Sequence, residues 1–175
     1  MRLSSIIFLA LFFILGAGCS RGDKPAASVV PQQLAVKSKI FIGKPAKDVW
    51  AALTEENLVN QYYLVPLIKL EQKVGGEIAY GIQDELVVYG KVIEIQPGKL
   101  LKHSFNYKGT AADPETTVIY KLTDMGQMTL LEFSHEGFPA ENQTYANVSG
   151  GWPVILSGLK TLLETGAPLP WPKQG

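Results

Sequence analysis

The sequence predicts an α+β domain: a curved antiparallel sheet of about six to seven strands wrapped around one long C-terminal helix. Three observations carry this. A first strand-like segment is followed by two short helical ones. A run of period-two segments then follows, joined only by short turns. One long helical pattern closes the chain. Strands joined by short turns are antiparallel. Such a sheet has one apolar face, and the terminal helix is the long element able to cover it.

Each element has its own signal. Leu34, Val36, Ser38, Ile40 and Ile42 alternate on one face, which predicts a strand over 34–42. Gly43-Lys44-Pro45 ends it. Residues 46–54 read as a short helix with Val49, Trp50 and Leu53 on one side, and 55–63 as a second. Further strands are expected at 68–70, 77–82, 85–95, 100–107, 116–123 and 128–135. Turn signals stand between them at Gly75-Gly76, Gln83-Asp84, Pro97-Gly98, Asp113-Pro114 and Asp124-Met125-Gly126. Residues 137–145 read as a loop. Ser149 is the expected N-cap of the long helix, with Pro153 in its first turn, where proline is tolerated. Trp152, Ile155, Leu156, Leu159, Leu162 and Leu163 keep helical spacing. Gly166 is the expected C′ residue, and Pro168 blocks continuation. A Pro-rich tail, 169–175, follows.

Five pieces, in order, resemble one family. Lys44-Pro45-Ala46-Lys47-Asp48-Val49-Trp50-Ala51-Ala52-Leu53-Thr54 looks like the opening of the START-like, or SRPBCC, superfamily. Gly75-Gly76-Glu77-Ile78, Gly90-Lys91-Val92-Ile93-Glu94-Ile95-Gln96-Pro97 with Leu100-Leu101, Thr129-Leu130-Leu131-Glu132, and Gly151-Trp152 with Leu159-Lys160-Thr161-Leu162-Leu163-Glu164 continue the match. The closest branch is that of the activator of heat-shock-protein ATPase homologues. The resemblance spans about residues 35–168, within a START-like domain set at 34–168. It implies the helix-grip (START-like, Bet v-like) fold and a cavity between sheet and long helix that commonly holds apolar ligands. It does not imply one activity, because members include carriers, receptors, cyclases and chaperone partners.

The N-terminus reads as an export address. Arg2 precedes an apolar run, Ile6–Leu15, and the small residues Gly16-Ala17-Gly18 lead to Cys19. That pattern describes a signal peptide over 1–19. The run is shorter than the roughly 20 residues a membrane span needs. Its end resembles a bacterial lipobox, in which the cysteine, here Cys19, becomes lipidated. The pattern prefers an aliphatic residue where Gly16 stands, so an ordinary signal peptide cut near Gly18 is the alternative. Ser20, rather than Asp, after the cysteine leans toward the outer membrane. Residues 20–33 lack periodicity and read as a flexible tether. The expected location is therefore the cell envelope, lipid-anchored on the periplasmic face, or else periplasmic or secreted. The chaperone of the family name is cytosolic, so its activation is not carried over.

Bulk properties narrow the function classes. Removing the N-terminal segment leaves roughly 140 residues, enough for a real core. Sixteen Lys and Arg balance sixteen Asp and Glu. Without clustered basic charge, nucleic-acid binding is set aside. Cys19 is the one cysteine in the chain, so neither an internal disulfide nor a cysteine zinc site is expected.

Strand alternation picks the cavity candidates. Leu101, His103, Phe105 and Tyr107 share a face; Val118, Tyr120 and Leu122 share another; Leu131, Phe133 and His135 a third; Ile78 pairs with Tyr80. With Trp50 and Trp152, the expected lining is Trp50, Tyr80, His103, Phe105, Tyr107, Tyr120, Phe133, His135 and Trp152. An aromatic lining with few polar handles suits a bulky apolar ligand. The competing reading is that the same aromatics simply fill the core. His103 and His135 invite metal or acid–base chemistry. No motif places a third ligand, however, and Glu132 alternates to the opposite face. No catalytic residue, metal or cofactor is expected. The Gly150-Gly151 pair is read as permitting close helix–sheet approach. The leading expectation is an envelope-localised binder of a small hydrophobic or amphipathic molecule. A cyclase- or hydrolase-like enzyme acting on a hydrophobic substrate is one alternative. A protein-interaction or chaperone-partner module in the periplasm is the other.

Overall fold

The computed structural model describes residues 33–83 and 85–170. The signal peptide, Cys19 and nearly all of the tether lie outside the described residues. The elements are β1 (Leu34–Ile42), α1 (Ala46–Thr54), α2 (Glu56–Val59), β2 (Leu67–Leu70), β3 (Glu77–Ile82), β4 (Glu85–Gln96), β5 (Leu100–Tyr107), β6 (Thr116–Asp124), β7 (Thr129–Phe138) and α3 (Gln143–Thr165). A single 3-10 turn, Lys108–Thr110, follows β5.

The strands form one sheet in the order β1-β7-β6-β5-β4-β3-β2. Every neighbouring pair is antiparallel. The β2 to β7 segments follow chain order, as short turns require. β1 joins beside β7, and α1 and α2 carry the chain across to the far edge. Register shifts at Tyr80/Gly81 and Val92/Glu94 mark bulges, the usual device for bending a sheet.

The concave face is packed by α3. Trp152, Ile155, Leu156, Leu159 and Leu162 are buried against Val92, Leu101, Val118, Leu131 and Phe133 of the sheet. Val49 and Leu53 of α1 and Val59 of α2 extend the same core. At the far end of α3, Lys160 donates to the Phe41 carbonyl, and Glu164 accepts the Gly43 N–H. The Lys160 hydrogen bond and the Gly43 N–H hold the Glu164 carboxyl below its ordinary pKa. Gly166 ends the helix in the left-handed region, φ 75°, as its place after the last periodic residue predicts.

Three expectations are corrected. The long helix starts at Gln143, capped by the Asn142 side chain onto the Tyr145 N–H, so Ser149 is not its N-cap. Asp113, from the β5–β6 connection, accepts both the Thr144 N–H and its hydroxyl. That tertiary anchor stabilises a polar, glycine-containing first stretch that lacks its own helical signal. Pro153 accordingly sits in the helix interior, where it has no N–H for the Ser149 carbonyl. The second helix is short, 56–59: beyond it the backbone tightens into turns, with the Gln61 N–H on the Leu58 carbonyl and the Tyr62 N–H on the Val59 carbonyl, and the Asn60 side chain bonds both backbone groups of Leu67. Finally, a Cβ added at Gly150 would meet nothing, and one at Gly151 only Leu64 at 3.5 Å. The glycine that permits close approach is Gly158, whose Cβ would come within 3.2 Å of the Tyr62 backbone carbonyl.

Candidate functional site

A half-open cavity of about 180 Å³ lies between α3 and the β4–β5 part of the sheet. Tyr63, Leu64 and Val65 form one wall, from the segment after α2. Val87 and Val88 of β4 and Phe105 and Tyr107 of β5 form the floor. Asn147, Val148, Gly151, Trp152 and Ile155 of α3 form the roof. Not one of these is Asp, Glu, Lys, Arg or His. An apolar hollow of about 150 Å³ is large enough to hold a benzene-sized molecule, so this one belongs to the ligand-sized class. A second hollow of about 270 Å³ runs along the other flank of α3. Val36 and Ile40 of β1, Phe133 of β7, and Trp152, Leu156 and Lys160 of α3 line it. Trp152 is the shared wall of the two.

The sequence-predicted residues divide by depth. Phe105, Tyr107 and Trp152 line the first cavity, and Phe133 the second. Tyr80 lies behind Tyr63, with the rings stacked at 4.6 Å and 16°. Tyr120 is buried beside Phe133 at 5.3 Å and edge-on to Trp152 at 6.2 Å. Trp50 is half-buried at the core's margin on α1 and lines neither hollow. His103 and His135 are 1% and 0% exposed.

The wall contributed by residues 63–65 was absent from the expected lining: the sequence reading ended its second helix at Tyr63 and left Leu64 and Val65 unassigned, whereas all three lie in the connection after α2. The signal there was the unbroken apolar run Tyr62-Tyr63-Leu64-Val65, which an exposed loop does not need. Val87 and Val88 both reach the floor although adjacent strand residues ordinarily point to opposite faces, because Tyr80 pairs with Val88 and Gly81 with Leu86, which leaves Val87 as the extra residue of a bulge.

The two histidines lie in one transverse row. His103 of β5 faces Val118 of β6, which faces His135 of β7. Their backbones are thus two strand spacings, about 10 Å, apart. His135 is saturated. The Trp152 Nε1–H donates to its Nδ1 at 2.9 Å. Indole nitrogen only donates, so the neutral ring carries its proton on Nε2. That proton goes to the Thr116 hydroxyl at 2.7 Å, and the hydroxyl donates onward to the Phe105 carbonyl at 3.2 Å. Burial first, and the charge of His103 second, push the His135 pKa down to about 3.

His103 is not saturated. A carbonyl only accepts, so Nδ1–H donates to the Ser104 oxygen at 2.8 Å, and Nε2 is left as an acceptor. Among the described residues that atom has no partner. An orphaned buried acceptor costs about 1–3 kcal/mol. Burial lowers the His103 pKa to about 4, partly opposed by the Ser104 bond.

A tyrosine cluster adjoins. Tyr62 donates its hydroxyl to the Ala52 carbonyl at 3.0 Å. The Tyr63, Tyr80 and Tyr120 hydroxyls influence one another, and burial above all raises the pKa of each. At neutral pH this interior is therefore polar without being charged. Among the described residues, no three His, Cys, Asp or Glu side chains converge as metal ligands would.

Comparison with known proteins gives the fold its relatives. CalU16 from Micromonospora echinospora matches at TM-score 0.63 and 25% identity, over 77% of this chain and 78% of that one. Protein MLL2253 from Mesorhizobium loti matches at TM-score 0.65 and 25% identity, over 75% and 97%. The Aha1 dimer from Colwellia psychrerythraea, at 20% identity and TM-score 0.65 over 76% and 98%, shows the fold alone. Comparison with curated protein sequences found no match. The family model described as activator of Hsp90 ATPase homolog 1-like protein matches residues 44–164, from the N-terminal turn of α1 almost to the end of α3. With a seven-stranded sheet gripping one long helix, the chain belongs to that family of the SRPBCC superfamily.

Proposed function

We propose that this protein binds a small hydrophobic or amphipathic molecule in the hollow between the sheet and α3, while held at the cell envelope by a lipid on Cys19. The observation that carries the binding reading is the 180 Å³ cavity, walled by aromatic and aliphatic side chains with Asn147 among them and no charged residue. A preformed apolar cleft with a few polar handles is the usual form of a small-molecule site. Neither histidine lines the cavity: each is buried and held neutral, and His135 has a partner on each ring nitrogen. The anchor reading rests on the sequence of residues 1–20 alone, and the outer membrane is its favoured destination.

Native mass spectrometry and solvent extraction of protein purified from its own host test the binding reading. A stoichiometric apolar small molecule is the expected result. Protein without a bound molecule, with the cavity filled by side chains in a crystal structure, overturns it. For the anchor, incorporation of labelled fatty acid into the wild type but not Cys19→Ser is expected. Equal labelling, or none in either, refutes it.

A further inference from the structure

The cavity opens in a definite direction. Among its lining residues, burial falls from Val88 to Val87 along β4 and from Phe105 to Tyr107 along β5. Along α3 it falls from Trp152 through Val148 to the exposed Asn147. β4 begins and β5 ends at one end of the sheet, where Thr144 at the start of α3 is bonded to Asp113. All three gradients point to that end, and the mouth lies there, between Asn147 and the 49% exposed Leu64.

The same end carries an apolar rim. Leu64, Pro66 and Ile68 are exposed and alternate with the more buried Val65 and Leu67. The Gly81 N–H bonds the Pro66 carbonyl, and Ile82, 50% exposed, comes next. Neither 62–68 nor 78–83 contains a charged residue. The chain also enters the domain at this end. Leu34 opens β1 and pairs with Phe138, the last residue of β7. Ala35, Glu136, Thr117 and Ser104 form one transverse row. It runs three strand spacings, about 15 Å, and ends beside Phe105 of the cavity floor.

We propose that Leu64, Pro66, Ile68 and Ile82 seat the domain on a lipid bilayer, so that the cavity opens onto lipid rather than water. This rests on the anchor and the apolar cavity proposed above, and adds the surface and its partner. Residues 20–33, read as a tether, span roughly 20 Å as a coil. The sheet is longer: β6, from Thr116 to Asp124, runs about 30 Å to the opposite end. A lipid on Cys19 therefore keeps the mouth end next to the bilayer. An exposed apolar patch beside a pocket marks an interaction surface. Seating it in the headgroup–acyl boundary removes it from water at no cost in buried charge. An apolar molecule dissolved in the membrane then enters the cavity without passing through water.

The test uses the full-length lipidated chain, purified from host membranes and reconstituted on phosphatidylcholine vesicles. A fluorescent label is attached at Pro66→Cys or, at the opposite end, at Met125→Cys, where the native residue is 53% exposed. Interfacial apolar groups lie roughly 5–10 Å into the headgroup–acyl boundary. Lipids brominated in the upper acyl chain are therefore expected to quench the Pro66→Cys label strongly and the Met125→Cys label not. This comparison needs no destabilising variant. Ile68→Asp combined with Ile82→Asp, neither of which lines the cavity, lowers the Pro66→Cys quenching to the Met125→Cys level. Ethylbenzene binding, read by calorimetry, stays as in the wild type, which shows that the variant is folded. Equal quenching at the two positions, or none on vesicle-bound protein, overturns the docking and leaves anchor and cavity standing. Energy transfer between two copies labelled at Pro66→Cys, without quenching, gives the rim to a second copy and overturns it too. A chain that does not float with the vesicles removes the anchor, and the docking with it. Ethylbenzene that fails to bind the wild type removes the cavity reading, and this inference with it.

Discussion

His103 and His135 stand in one row of the sheet, equally buried, on the same face, with Val118 between them. Their surroundings are opposite. At the β7 end, Trp152 comes down from α3 and Thr116 comes across from β6, so both ring nitrogens are used. At the β5 end, one nitrogen meets the neighbouring Ser104 carbonyl and the other meets nothing among the described residues. Residue type, burial and strand position are the same, so none of them sets the role. What decides it is which side chain the covering helix lowers onto each end of the row. One end of the core is closed by a complete hydrogen-bond chain, and the other is left with an unpartnered acceptor.

The most severe way to break this contrast is Trp152→Ala. It removes a large buried ring, empties the wall between the two hollows and orphans His135 Nδ1. A loss of roughly 5 kcal/mol is expected in urea unfolding. A loss below about 1 kcal/mol would show that α3 does not close the β7 end.

Acid should act on both ends together. Each ring is neutral in the fold, with pKa values of about 4 and about 3 against an ordinary 6.5. The unfolded chain takes up protons first, so this contribution is complete above about pH 6.5 and is lost as pH falls toward the folded values. Between about pH 6.5 and 4.5 the two histidines together should remove roughly 4 kcal/mol. The Glu71, Glu132 and Glu164 carboxyls are held low and add to the loss only below that window. Stability that stays flat across the window would mean that neither ring is held neutral by the fold, and a loss of about half would mean that only one is.

The sharpest comparison is a matched pair of substitutions. His135→Leu leaves the Trp152 N–H without an acceptor in a dry core and should cost about 2 kcal/mol. His103→Leu removes an orphan and should change stability by less than about 1 kcal/mol, in the stabilising direction. Guanidinium unfolding of the two side by side measures the difference. Equal costs would mean that the two ends are not different in kind.

Much of the fold was legible from the sequence. Period-two alternation placed the strands, from Leu34–Ile42 through to the last, because a half-buried strand must alternate. The apolar spacing from Trp152 to Leu163 placed the core-facing part of α3. Its first turns were not legible: Gln143 to Gly151 carries polar residues and a Gly pair, and helix there depends on Asp113 arriving from a distant connection. The candidate site was legible in part. Facing told which aromatics point inward, but not which meet empty space. Phe105, Tyr107 and Trp152 line the first cavity, while Tyr80 and Tyr120 lie in the layer behind it. Tyr63, Leu64 and Val65 came from a connection to which no periodicity applies.

By itself, then, the sequence determined the class: an antiparallel sheet with a helix laid on its apolar face, since local alternation and helical spacing are properties of neighbours in the chain. It also determined that two histidines point into that interior. Only the tertiary structure decided what each does. A ring nitrogen's partner is set by whichever side chain the packing of α3 brings within 3 Å. Trp152 reaches His135 and leaves His103 open, and that distinction is not written in any local pattern.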